Sequence, residues 1–240
     1  MKKKLMTTLS VALMAGAFFS GAVSAKGENS KKSLTALGDS ITFGYNLERH
    51  NHHVSKNAFP FVLGDYANLR VRDLGVGGWT TQDLLNALEK NEKFRQAVAH
   101  ADYITLDIGS NDLLQAFSDN NVTPDEVQIV LENIRNIILE VRELSDAPVV
   151  VYNFYNPFQL NDPRHAIGNV LLSQMVNPQI ESLVQALNQE AGNIVLADAF
   201  TEFRENQAEY VFPNDIHPTI EGQKVLAEIG FEALSHLNGQ

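Results

Sequence analysis

Cysteine is absent from all 240 residues. That excludes disulfides and lipid attachment to a cysteine behind an N-terminal leader, so the fold must rest on its packed core. Positive charge is scarce: 18 Lys and Arg stand against 29 Asp and Glu, a net charge of −11, which opposes binding to nucleic acid. Neither an internal repeat nor a low-complexity linker interrupts the chain, which argues against a repeat array or a string of tethered domains.

Beyond the N-terminus there is no long apolar run. There, "MKKK" is a basic start, "LMTTLSVALMAGAFFSGAV" an apolar stretch and "VSA", ending at Ala25, a small-residue cleavage site. This pattern predicts a secretory signal peptide over 1–25. The Gly, Ser and Thr content of the stretch and the polar "KGENSKKS" after it favour cleavage over anchoring. The expectation is a secreted, extracellular protein without a stable membrane span once the leader is removed. Loss of Lys2, Lys3 and Lys4 leaves 15 basic against 29 acidic residues, a net charge of −14. Residues 26–240 have the length of one domain with a full core.

Short Val-, Ile- and Leu-rich runs without strict alternation predict buried strands at 33–39, 69–76, 102–109, 147–154 and 193–200. Helical periodicity covers about 57–68, 80–98, 123–144, 174–191 and 218–237. Thr123-Pro124-Asp125-Glu126 has the form of an N-cap with proline at N1, and Pro218 opens the last helix. Ile129, Leu131, Ile134, Ile137, Ile138 and Val141 are read as the core face of the third helix. Alternating strands and helices imply an α/β fold, a three-layer α/β/α sandwich around a parallel sheet. Chemistry in such sheets collects at the carboxyl ends of the strands. "GDS", "GVGG", "GSND" and "NFYNPF" follow the first four strands, and "NDIHP" precedes the last helix.

A serine hydroxyl is a weak nucleophile near neutral pH, so Ser40 in "GDS" needs a base and donors for the oxyanion it creates. His217 is the natural base, since imidazole titrates near the working pH. Gly78 offers a backbone N–H with no Cβ in the way, Asn111 a side-chain amide, and Ser40 its own N–H. Each such donor is worth on the order of 3 kcal/mol to a transition state. The set reads as acyl transfer.

These blocks, "GDSIT" at 38–42, "GVGG" at 75–78, "GSND" at 109–112 and "DIHP" at 215–218, resemble in order the four blocks of the SGNH or GDSL-type hydrolases. The resemblance implies a flavodoxin-like, five-stranded parallel sheet of order 2-1-3-4-5, with Ser40 as nucleophile and His217 as base. It implies an oxyanion hole of Ser40 N–H, Gly78 and Asn111, and no metal or organic cofactor. The family usually places its acid three residues before the histidine, where this chain has Asn214; Asp215 is two before. Either Asp215 reaches His217, or Asn214 accepts through its amide oxygen, or a backbone carbonyl does.

Other motifs carry less. "GDSIT" lacks the last glycine of the GxSxG elbow, Thr42 standing there, and "GVGGWT" puts Thr80 where a dinucleotide fingerprint needs its third glycine. His50, His52 and His53 form a run that is more simply a solvated loop than a metal site. Asp39 is read as a structural turn residue and Asp112 as a cap or rim hydrogen-bonder. The polar, aromatic stretch 152–176 is either a surface connection or a lid bordering an acyl pocket, with Tyr155, Phe158, Leu160 and Ile167 as substrate contacts. The function that follows is a secreted serine esterase or lipase acting on lipid-like or short-chain acyl esters. The alternatives are a carbohydrate O-acetylesterase and, in another class, a secreted binding protein that retains the scaffold without chemistry.

Overall fold

In the computed structural model, which describes residues 31–118 and 123–238, five strands form one parallel sheet. They are β1 (Ser33–Gly38), β2 (Arg70–Asp73), β3 (Tyr103–Asp107), β4 (Val149–Tyr152) and β5 (Ile194–Ala197), in the order β2-β1-β3-β4-β5. The expected order is thus the one observed; the signal-peptide segment 1–25 lies outside the described residues. Between β1 and β2 run α1 (Ser40–Phe43) and α2 (Phe59–Tyr66), and between β2 and β3 run α3 (Thr81–Lys90) and α4 (Glu92–Ala99). α5 (Ser110–Ser118) and α6 (Pro124–Leu144) lead to β4. α7 (Arg164–Leu171), a π-helical turn (Leu172–Val176) and α8 (Asn177–Ala191) lead to β5. α9 (Ala199–Phe203), α10 (Gln207–Tyr210) and α11 (Ile220–Asn238) follow it.

Strand side chains alternate between two apolar layers, which explains why the central strands read as unbroken hydrophobic runs. On β4, Val149 and Val151 enter the layer built with α3, α4, α6 and α8, while Val150 and Tyr152 enter the one built with α2 and α11. Burying one such aliphatic side chain contributes about 1.5–3 kcal/mol. α6 starts where its sequence signal lies: Thr123 Oγ1 accepts from Glu126 N–H, Glu126 reaches back to the Thr123 N–H, and Pro124 stands at N1. No helix among the described residues is long and apolar enough to cross a membrane.

Several expectations need correction. Ile129 is 56% exposed, because the buried stripe of α6 runs Val127, Val130, Leu131, Ile134, Ile137, Ile138, Val141 and position 129 falls off it. The helix expected over 80–98 is broken at Asn91, whose extended backbone ends α3 while its side chain accepts the Lys93 N–H and starts α4. β2 ends at Asp73 because that carboxylate takes the Gly75 N–H and turns the chain. α5, and α7 within the stretch 152–176, are helices where none was expected.

Candidate active site

Ser40 is the first residue of α1, set there by Asp39, whose Oδ1 accepts the Ile41 N–H at 2.9 Å. The strand behind it is tight: a Cβ on Gly38 would collide with Thr42 and the Asp107 carbonyl. Only glycine lets β1 pass that close to α1. Ser40 is thereby held at the carboxyl end of a central strand, 6% exposed.

The loop after β2 is fastened beside it. Val76 N–H donates to the Gly38 carbonyl at 3.1 Å and Trp79 N–H to the Val76 carbonyl at 3.2 Å. Between them Gly78 has φ +80°, a left-handed conformation that favours glycine, and open space where a side chain would stand. Asn111, in the first turn of α5, donates its Nδ2 to the Trp79 carbonyl at 2.8 Å. The second proton of that amide has only Asp39 Oδ2, at 3.4 Å, a weak partner at that distance. Among the described residues, the N–H groups of Ser40 and Gly78 have no acceptor. Ser40 N–H, Gly78 N–H and the Asn111 amide are therefore donors with capacity to spare.

From the other end of the chain, His217 Nε2 lies 3.0 Å from Ser40 Oγ and its Nδ1 2.7 Å from Asp215 Oδ1. With Nδ1–H donating to Asp215, Nε2 is left to accept the serine proton. Burial opposes ionisation of Asp215, but hydrogen bonds from Asn46, His217 and the Ile216 N–H together hold its pKa below the ordinary carboxylate range. Of the three orienting candidates the structure brings Asp215 to the imidazole. Asn214 is exposed, at φ +60°, and makes the turn that carries Asp215 inward.

Two supports left no mark in the motif reading. Asn46 Nδ2 donates to the outer oxygen of Asp215 at 2.7 Å, and the Tyr45 ring packs on the imidazole with centroids 4.8 Å apart. The signal at Asn46 was faint: Asn tolerates the left-handed φ of +64° found there, but nothing local names a partner 169 positions away. Tyr155 Oη donates to the Ile216 carbonyl at 2.7 Å and stacks on Phe203. Buried Gln223 ties α1 to α2 by accepting Phe59 N–H and donating to the Ile41 carbonyl.

Three further acids stand near. Asp39 is fully buried; burial first, then the Asp112 charge, pushes its pKa up to about 7 against the Ile41 hydrogen bond. Asp107, at the end of β3, is driven well above the usual carboxylate range by burial and then by the Asp39 charge. Asp112 accepts both the N–H and the hydroxyl of Thr81, at 3.0 and 2.6 Å, fixing the start of α3. None of the three contacts His217. His50, His52 and His53 are exposed, and among the described residues no group of three or more His, Cys, Asp or Glu could hold a metal ion.

An apolar cavity of about 50 Å³ abuts the site. Ile41, Ser110 and Ile216, chain neighbours of Ser40, Asn111 and His217, line it together with Leu113, Tyr155 and Phe158. Leu160 is 53% exposed and lines neither this cavity nor the depressions beside it. The correction has a simple cause, since the chain has turned outward toward α7 by that residue. A polar depression of about 720 Å³, bordered by Gln159, Asn161, Asp162, Arg164, Asn214 and Asp215, shares Pro157, Phe158 and Ile216 with the cavity.

Comparison with known proteins agrees with this geometry. Residues 36–225 match the model of the GDSL-like Lipase/Acylhydrolase family. The chain is 26% identical over 215 residues to YpmR of Bacillus subtilis (84% of this chain, 80% of that one). It is also 26% identical over 215 residues to the spore germination lipase LipC of Bacillus licheniformis (81% and 92%). Among solved structures, the lipase Lip_vut3 from a goat rumen metagenome superposes with a TM-score of 0.69 at 21% identity, covering 85% of this chain and 97% of that one, a likeness of fold.

Proposed function

As the chain belongs to the GDSL-like lipase/acylhydrolase family, we propose that it is a serine hydrolase of carboxylic esters working through an acyl-enzyme. One observation carries the reading: the run Ser40 Oγ, His217, Asp215 at 3.0 and 2.7 Å, with unengaged N–H donors beside the hydroxyl. Ser40 Oγ attacks the ester carbonyl while His217 Nε2 takes its proton. Asp215 stabilises the imidazolium that forms. The oxyanion is received by Ser40 N–H, Gly78 N–H and the Asn111 amide proton that otherwise holds only the long contact to Asp39. Collapse expels the alcohol, which leaves with the proton from His217. Water, activated by the same imidazole, then cleaves the acyl-enzyme to release the carboxylic acid and restore Ser40.

The apolar cavity supports an alkyl acyl group on one side of the scissile bond, and the polar depression supports a polar alcohol on the other. The same polar depression favours a second reading, an O-acetylesterase acting on carbohydrate, for which the small cavity would hold acetyl. The leader at 1–25 and the absence of cysteine support action outside the cell, and the acidic net charge supports small ester substrates over nucleic acid. Labelling by a fluorophosphonate tests the reading: one equivalent on Ser40, lost in Ser40→Ala and in His217→Ala, is expected. A protein that binds esters but neither labels nor releases nitrophenol is a non-catalytic relative. Turnover of acetylated sugar against fatty-acyl esters decides between the two enzyme readings.

A further inference from the structure

The cavity beside Ser40 does not end at its far wall. Behind it lies an open groove of about 1040 Å³, and Leu114, Phe117, Phe158 and Leu171 belong to both. The partition is the ring pair Phe117–Phe158, with centroids 5.2 Å apart and planes tilted by 40°. The two rings are held differently. Phe158 is pinned by the Arg164 guanidinium 4.4 Å from its ring centroid, by its carbonyl 2.8 Å from His165 Nδ1, and by Gly168, where a Cβ would come within 3.1 Å of the ring. Phe117 stands half-buried on the last turn of α5, and the Phe158 ring is its one ring partner among the described residues. With one ring contact against the several restraints on Phe158, it is the less constrained side of the partition.

The groove has an apolar floor that water now touches. Ile167 and Val170 of α7 line it and are 62% and 55% exposed, and Met175 continues the stripe on the π-helical turn. A widened turn of this kind often marks a functional site. Arg164, Gln174 and Gln179 also line the groove, but exposed aliphatic side chains aligned on one face, just behind the acyl cavity, suit an alkyl chain.

The geometry points to a distal subsite for the alkyl chain of a medium- or long-chain ester, entered from Ser40 past a displaced Phe117, so that Phe117 sets the chain-length limit. This rests on the ester-hydrolase reading and names the acyl class it would take. Short acyl groups fit within the cavity. Chains longer than a few carbons must move Phe117 and lie along Ile167, Val170 and Met175.

The test compares kcat/KM for p-nitrophenyl acetate and p-nitrophenyl dodecanoate in the full chain and in Phe117→Ala, Val170→Asp and the double variant. A single buried methylene changes such ratios by about tenfold or more. The dodecanoate-to-acetate ratio should therefore rise at least about fivefold in Phe117→Ala and fall by as much in Val170→Asp, and the double variant should lose the gain. Val170 is exposed, so its variant reports even where Phe117→Ala fails to fold. Ratios within about twofold of the parent in the folded variants, with Ser40 still labelled by a fluorophosphonate, would overturn the subsite alone. No labelling and no acetate turnover in the parent would remove the hydrolase reading and the subsite with it.

Discussion

Replacing Asn46 with glycine isolates the brace on Asp215. The position is left-handed, so glycine holds the backbone without the strain that alanine would add. What is lost is the 2.7 Å hydrogen bond from Asn46 Nδ2 to Asp215 Oδ2 and the side-chain contact with Asn51. Hydrogen bonds to a charged group are worth about 1.5–3 kcal/mol. Asn46 is exposed and the Asp215 side chain 24% exposed, so water replaces part of the interaction and the lower value applies. If that energy steadies Asp215 against the imidazolium of the transition state, kcat falls by roughly tenfold. The bond touches no substrate, so KM stays within about twofold. Steady-state hydrolysis of a nitrophenyl ester measures both, and the urea midpoint checks folding. An unchanged kcat, or a loss carried wholly by KM, would show that Asp215 is held well enough by His217 and Ile216 and that the brace reasoning is wrong.

Asp215→Asn should cost far more, up to about 10⁴-fold in kcat by analogy with other serine triads, with fluorophosphonate labelling slowed in parallel; near-normal turnover would mean that the negative charge at position 215 is not needed to orient and stabilise His217. Asp73 offers a stability test. It is half-buried, with one oxygen bonded to Gly75 N–H and the other shielded from water and unpartnered among the described residues, and desolvation pushes its pKa up to about 7 against the Gly75 hydrogen bond and the Lys56 charge. A carboxyl whose folded pKa exceeds its unfolded value near 3.8 binds a proton more tightly when folded, so stability falls as pH rises between about 4 and 7. Asp73→Asn removes that titration. Urea unfolding should find the variant more stable than the parent at pH 8 and the gain shrinking toward pH 4; an equal difference at both would contradict the assignment.

How much of this was legible depends on the range of each signal. Strands β1, β3 and β4 declared themselves because both their faces are buried, and α6 because its capping box and stripe are local. The rim position of Ser40, Gly78 and Asn111 follows from strand ends alone. The breaks at Asp73 and Asn91 were missed because one side-chain hydrogen bond decided each, against an apolar pattern that runs on. α7 was hidden because its aliphatic residues Ile167 and Val170 stand on the exposed face and only Gly168 is buried, so no buried apolar stripe marks it. Asn46, Tyr45 and Gln223 were invisible for another reason: their partners lie 164 to 182 positions away or across the site, and single residues carry no period.

The acid at position 215 poses the sharper question, since the family pattern asks for it one residue earlier. The structure answers through Asn214. With φ +60° there, and Asp215 N–H donating to the Phe212 carbonyl at 3.2 Å, the chain tightens by one residue and still points the carboxylate at Nδ1. The amide of Asn214 is exposed, so its contribution is conformational. Asn214→Gly should therefore keep activity within about threefold, since glycine adopts this region freely. Asn214→Val should lose roughly tenfold in kcat, because a β-branched side chain in the left-handed region costs about 1–2 kcal/mol and the turn relaxes to avoid it. Ester turnover and its acid limb separate the cases. Abolished activity in Asn214→Gly, in a protein that folds, would hand the orienting role to the Asn214 amide and leave Asp215 a turn residue.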